Sequence, residues 1–523
     1  MIHKKIFRTA VLLCMVAAPA FAQKQSFEGI TKFSASSISP VYEKNEVKGY
    51  LLYYKSDKAD KKNDNYVMGV YDQDLNKVKD IELQKPRNGY FMLRNAFNGT
   101  AFSFYFYNYS DKSLELETYD KSLNKLASVK IAEISKLDRA YLQQELNGAG
   151  DGVNDLLTGM NLFPVPGKGF IRNSYEGMGK SYELEMYDNN LKLKWQFKPD
   201  GKSKEYESIG VTEVTDKYLL ATIVRRPNML SKQMTFYVAA FDVNTGKKVL
   251  DQPIESKSTE QLSMSSMSFD EQKQEFVVYG EFYKAEDKPF VNKSQGIFMK
   301  RFDQKGALKT TSLYKWDKEV KALLPASASK SISENYINYV HKVIKGSNGY
   351  TYVVAEQYKI AVSGTGLAMQ AMGGGTSAMK GKIGNMLVFV IDPANVMKEV
   401  RFYEKNETDC VLPAGSGLYG AGLLGHVIKT TGGFDYQFTQ ENNEATDFSF
   451  AYLDINSKSK DNKVSLKNVM KDNAEKFSAD GVDIITGKNL KSATYPAKLG
   501  YNMIVSYNSG EKQMEMKLVK LNK

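Results

Sequence analysis

Residues 182–188 read Tyr182-Glu183-Leu184-Glu185-Met186-Tyr187-Asp188, alternating apolar and polar side chains that end on an aromatic-Asp pair. A period of two is the signature of a half-buried strand, and the terminal Asp marks a turn because its carboxylate accepts a backbone N–H two residues on. The same ending recurs at Tyr71-Asp72, Tyr119-Asp120, Phe241-Asp242, Phe302-Asp303, Ile391-Asp392 and Leu453-Asp454, with Leu521-Asn522 as a degenerate eighth. Upstream of each lies a second marker, a glycine and an aromatic residue opening an apolar strand. It is found at Gly49-Tyr50, Gly89-Tyr90, Gly169-Phe170, Gly349-Tyr350, Gly433-Phe434 and Gly500-Tyr501, with Lys217-Tyr218 and Glu275-Phe276 in the other two places. Seven steps of about 64 residues separate Gly49 from Gly500, and fixed-order repeats of this size point to a propeller or a solenoid.

The expected fold is all-β, a single β-propeller domain of eight blades over residues 23–523, or of seven if a terminal unit is not a blade. If the markers open the second strand and end the third strand of each blade, the last blade lacks an outer strand. The segment from Phe27 to Ser37 alternates well enough to supply it and close the ring, which removes both exposed edges. An aspartate that repeats at every hairpin is a turn residue, not a catalytic one.

Two hairpins carry a likeness to a known group. Ala240-Phe241-Asp242-Val243-Asn244-Thr245-Gly246-Lys247-Lys248-Val249-Leu250 resembles the blade hairpin of quinoprotein-type β-propellers, and Met186-Tyr187-Asp188 through Lys194-Trp195 resembles it with its tryptophan. More broadly, the Lys-, Tyr- and Asn-rich chain is similar to secreted bacterial β-propeller-like proteins of unassigned function. The resemblance implies architecture; it implies no quinone cofactor and no site residues.

The amino terminus has the three parts of a signal peptide: basic His3, Lys4, Lys5 and Arg8, an apolar run from Ala10 to Ala18, and Ala20-Phe21-Ala22 as the cleavage pattern. Residues 1–22 are therefore expected to be removed, leaving an exported chain in the periplasm, at the cell surface or outside the cell, with no transmembrane segment. Cys14 falls inside the signal, so only Cys410 remains and no internal disulfide can form. The formal net charge of +11 drops to about +8 without the signal, and its lysines are scattered among turns, which argues against nucleic acid as a partner.

Three segments interrupt the repeat, at about 132–164, 361–385 and 406–426. The first has helical spacing (Ile134, Leu137, Leu142, Leu146) and reads as a helical insertion. The second, Gly364 to Gly384, is rich in Gly, Ala and Met and reads as a loop between strands that end near Ile360 and start near Met386. All three should emerge on one face of the ring, where loops on a rigid scaffold carry binding functions. The candidate binding residues are Arg225, Arg226, Tyr358, Tyr419 and His426.

No reactive constellation accompanies them. The G-x-G-x-x-G matches at Gly415 to Gly420 and Gly420 to Gly425 follow Pro413, and a strand rather than a helix is expected after them, which is wrong for a dinucleotide site. Only His341 and His426 follow the signal, without H-E-x-x-H, C-x-x-C or G-x-S-x-G, so no metal or cofactor is expected. The chain reads as a monomeric binding or interaction module for a glycan or an envelope protein rather than an enzyme. The competing reading is a carbohydrate-active enzyme with a carboxylate pair in the propeller mouth.

Overall fold

A computed structural model describes residues 23–521 apart from 32, 34–36, 88, 134–160, 177–180, 201–204, 229–230, 232–234, 255–259, 288–291, 327, 329–335, 363–375, 414–420, 457–462, 486 and 488. The strands assemble into eight antiparallel sheets that follow one another along the chain. Blade 1, with strands Ile38–Glu43, Glu46–Lys58, Asn63–Asp72 and Lys77–Pro86, sets the pattern. The first strands of neighbouring blades touch one another, which places them around the axis and the fourth strands on the rim. The architecture is an eight-bladed β-propeller, as the repeat predicts.

Sequence dictates the corner of each blade. Gly49, the fourth residue of the second strand of blade 1, and Gly169, which opens that of blade 3, lie beside the third-strand ends Tyr71 and Tyr187, whose backbone lies where a β-carbon on either glycine would have to go. The next residue is the turn aspartate. Asp72 Oδ1 accepts from the amides of Asp74 and Asn76, and Asp120, Asp188, Asp242, Asp303 and Asp392 accept from the equivalent turn amides. Two units depart from the expected register. Gly89-Tyr90 and Gly433-Phe434 stand before first strands (Tyr90–Phe97 and Tyr436–Glu441), not second ones. Leu453-Asp454 lies in the second strand of blade 7, Phe448–Asn456, and the third strand, Lys463–Lys471, ends instead beside Asp472.

Closure uses the amino-terminal segment a few residues earlier than expected. Blade 8 takes Leu490–Pro496, Tyr501–Asn508 and Gln513–Lys520 from the end of the chain, and Lys24–Phe27 pairs with the last of these as its outer strand. Phe27 begins the expected stretch and is the last residue of the observed strand. Ile30 and Phe33 beyond it leave the ladder and are buried with Phe27 against blades 8 and 1.

Among the described residues, apolar clusters of this kind fill seven of the eight seams between neighbouring blades. The seam between blades 7 and 8 is built differently. Buried Gln440 donates to the carbonyls of Ala497 and Tyr501, Ser449 donates to Gln440, and Asn468 donates to Asn502.

The expected helical insertion, 134–146 within 132–164, falls outside the described residues. A helix is present elsewhere, at Ala421–Thr430, inside and just beyond the third interruption, where a strand was expected after the glycine-rich motif.

Candidate functional site

The second and third strands of blade 6, Thr351–Val362 and Thr376–Ile391, are long enough to overrun the blade. The segment from about Gly364 is therefore not all loop: Met379 to Ile383 pair with Tyr358 to Val362. A further strand, Thr408–Pro413, adds to the other edge of this hairpin, with Gly381 opposite Cys410 and Lys382 opposite Asp409. The helix Ala421–Thr430 then packs on one face of the three strands. Tyr358, Ile383, Cys410, Leu412, Leu424, Ile428 and Phe434 form its core, separate from the cores between blades.

Glycines set that contact. A β-carbon on Gly425 would stand 2.8 Å from the Tyr358 hydroxyl, and one on Gly381 would stand 3.2 Å from Ile428 while colliding with the Cys410 sulfur. Small residues let helix and sheet approach closely, and the result is a cap on blade 6. The strand order puts the cap on the face where one blade passes to the next, since second and fourth strands both run toward that face.

Beneath the cap lies a sealed group of charges. Glu356, on the second strand of blade 6, accepts from the backbone amides of Asp435 (3.3 Å) and Tyr436 (3.1 Å), tying the start of blade 7 to blade 6. Lys405, just past the outer strand, reaches Asp435 at 2.5 Å and Glu356 at 3.5 Å, and Thr408 donates to Asp435 at 2.6 Å. Burial raises both carboxyls, and the Lys405 charge opposes that rise. His341 is the extra residue of a β-bulge in the first strand of blade 6, and the bulge turns its ring between the blades. Its Nε2 lies 3.1 Å from Glu356, and its ring stacks on Tyr436 at 4.3 Å. Burial, with Lys429 nearby, holds the imidazole well below its ordinary pKa. A neutral ring donating from Nε2 leaves Nδ1 as a bare acceptor, and that atom has no partner.

This arrangement fastens; it does not expose a reactive group. Glu356 and Asp435 share one ammonium and are both shut away from solvent. Burial likewise pushes the Cys410 thiol up to about 11, which makes it inert at neutral pH. The solvent side of the cap is polar: Lys359 and Lys382 pair with Glu407, and Lys380 pairs with Asp409. Val411 projects from the added strand and is 78% exposed, the most open of the large apolar side chains among the described residues.

The five candidate binding residues divide. Tyr358 belongs to the core of the cap and His426 falls in its helix, so the structure brings these two together. Tyr419 lies outside the described residues. Arg225 and Arg226 end the second strand of blade 4. Arg225 is held inside its own blade by Glu207 (2.7 Å) and Asp251 (2.8 Å), with its guanidinium 3.9 Å above the Tyr237 ring. Glu356, Lys405 and Asp435 were not singled out by sequence reasoning, because charged residues at ordinary spacing carry no local sign that tertiary contacts will bury them. His341 could be noticed only as one of two histidines.

Fold and site together define an eight-bladed β-propeller that carries a strand-and-helix cap on one blade. The chain matches the family of unknown function DUF6770 over residues 1–522 and belongs to it. No curated protein matches it. Among solved structures it is similar to a prolyl endopeptidase studied for inter-domain dynamics in catalysis and specificity, at 9% identity and a TM-score of 0.43 over 92% of this chain and 55% of that one. It is also similar to prolyl oligopeptidase B from Galerina marginata (9% identity, TM-score 0.38, 91% and 55% covered) and to TolB from Acinetobacter baumannii (10% identity, TM-score 0.26, 82% and 79% covered). The chain thus spans about half the length of the prolyl peptidases it matches. No helix among the described residues is long and apolar enough to cross a membrane.

Proposed function

We propose that this protein is exported and acts as a binding module whose recognition surface is the cap of blade 6. The observation that carries the reading is the cap itself: a hairpin, an added strand and a helix with their own core, anchored by buried charges and presenting an unpaired strand edge among the described residues. An open edge bearing an exposed valine and rimmed by ion pairs suits a partner that adds a strand or lays a flat surface along it. Export rests on the basic, apolar and A-x-A pattern of residues 3–22.

The enzyme alternative gains nothing from the carboxylates behind the cap, which are sealed and share Lys405. The test is a thermal-shift screen of the chain from Gln23 against glycans and fractionated envelope proteins, repeated with Val411→Asp and with Lys380→Glu combined with Asp409→Lys. These solvent-facing changes are expected to leave the melting temperature of the free protein within about 1–2 °C, as surface substitutions do. They should weaken partner binding at least about tenfold, which corresponds to about 1.4 kcal/mol. A partner bound equally well by the variants would move the recognition surface elsewhere, and turnover of a glycan would replace the binding reading with the enzymatic one.

A further inference from the structure

The seam between blades 7 and 8 is the one that lacks an apolar cluster among the described residues, and it contains a cavity of about 280 Å³. Asn468 and Ser478, on the third and fourth strands of blade 7, face Tyr501 and Lys520 of blade 8 across it. Tyr501 opens a second strand and Lys520 ends a third one, so the cavity lies toward the end of the ring opposite the cap. It is a second place, independent of the cap.

Its inner wall is incompletely satisfied. Asn468 is 2% exposed and donates through Nδ2 to Asn502 Oδ1 at 2.9 Å, while Asn468 Oδ1 and Asn502 Nδ2 have no partner. A buried amide atom left unpaired forfeits its hydration with nothing in return, so such atoms in a native seam call for an explanation. The amide-and-hydroxyl column at this seam otherwise pairs fully at Gln440 and Ser449; the defect occurs where the column meets the cavity.

We propose that this cavity is a binding site for a neutral, hydroxyl-rich ring of about the size of one monosaccharide. Three features point to that class. The volume lies just under the range of drug-sized pockets and so suits a single small ring. Its walls are mixed, with Met470, Leu499, Tyr501 and Leu521 offering carbon surface to the C–H face of a ring. Asn468 Oδ1 and Asp480 accept hydrogen bonds, Lys520 donates and Ser478 does both, so hydroxyls, which also do both, can meet every group. One carboxylate and one ammonium on the lining balance each other, which favours a neutral ligand over a uronate or an amino sugar.

Blade 8 is the blade that joins the two ends of the chain, so a ligand held between it and blade 7 braces the closure of the ring and raises its melting temperature. The experiment is ligand-observed NMR and thermal shift of the full chain with neutral hexoses, a uronate, an amino sugar and inorganic phosphate. The expected result is saturable binding of at least one neutral hexose in preference to the charged sugars. Ser478→Trp, which fills the cavity from the rim strand, should weaken it at least tenfold, and Lys520→Met, at the exposed end of a strand, should weaken it several-fold if the tryptophan disturbs folding. Val411→Asp on the cap should leave it unchanged, so failure here and failure of the cap reading can be told apart. The proposal is overturned if no hexose binds at about 50 mM and the cavity holds ordered water only, if binding survives both variants, or if phosphate or a charged sugar binds better.

Discussion

At the scale of single residues, burial decides how this protein responds to pH. Glu281, on the second strand of blade 5, is pushed up to about 7 by burial, against which its hydrogen bonds with Tyr283 and Ser294 act only in part. The unfolded chain releases this proton near the ordinary glutamate value of 4.5, whereas the folded chain keeps it until about 7. Folding therefore binds a proton across that window, so what this group contributes to stability is fully present below pH 4.5 and is lost as pH rises through 7. By linkage the loss is on the order of 3 kcal/mol. Glu281→Gln keeps the shape without the charge, and it should raise stability at pH 8 by up to that amount while changing little at pH 4. Denaturant unfolding of both proteins at the two pH values measures the difference; an equal gain at both would show that packing rather than ionisation is responsible. Asp270 behaves in the opposite way. Although burial opposes it, Lys345 and Arg301 hold its carboxyl down at about 2, so its contribution persists until strongly acid pH. Neither behaviour is legible in sequence, where both residues are simply acids at strand positions.

At the scale of elements, what the sequence announces is the corner of the blade, and what it conceals is register. The turn aspartates and the glycines of blades 1 and 3 are local necessities, set by backbone amides and by carbonyl contacts a few atoms away, so they leave a mark in the chain. The bulge in the rim strands of the first six blades leaves none. In blades 1 to 6 one extra residue stands in the fourth strand just after the turn, namely Val78, Leu126, Lys194, Val249, Lys309 and Lys398. A bulge at the same place on successive edges spoils the ladder that another chain would need for pairing, which accounts for Val78, Leu126 and Val249 being exposed without harm. The cap was misread for a related reason. Met379 to Ile383 read Met-Lys-Gly-Lys-Ile, where a glycine and two lysines of weak strand preference hide a strand that tertiary structure pairs on both edges, with Tyr358 to Val362 and with Thr408–Pro413. Gly381→Val tests the helix that covers it. The added side chain has no room beside Cys410 and Ile428, so the helix must lift while the blades stay folded. In a chain begun at Gln23, where Cys410 is the one thiol, its reaction with a thiol reagent should speed up at least tenfold. An unreactive thiol in a folded variant would mean that the cap tolerates the valine and is not held by this contact.

At the scale of the whole molecule, eight sheets make a ring whose stability depends on closing it. The number of blades was legible because the period is written into the markers, and the closing strand was legible because the last unit is one strand short. The position of that strand was not: alternation continues past Phe27, but the ladder stops there and Ile30 and Phe33 turn inward to pack. The backbone of Lys24–Phe27 matters less than the three side chains that follow from its placement. Phe27 is 8% exposed, Ile30 0% and Phe33 6%, and they touch blades at both ends of the chain. Truncating one buried residue of this size to alanine costs about 2–5 kcal/mol, so losing all three approaches the whole stability of a typical domain, about 5–15 kcal/mol. A chain begun after Phe33 should therefore melt well below one begun at Gln23 and should associate through the open edge of the Gln513–Lys520 strand, which light scattering would register. Adding the peptide of residues 23–33 should reverse the association and restore most of the melting temperature, whereas the same peptide with Ile30→Asp should not. If the shortened chain melts like the longer one, the ring closes through the seams between blades alone and the amino-terminal strand is an accessory to it.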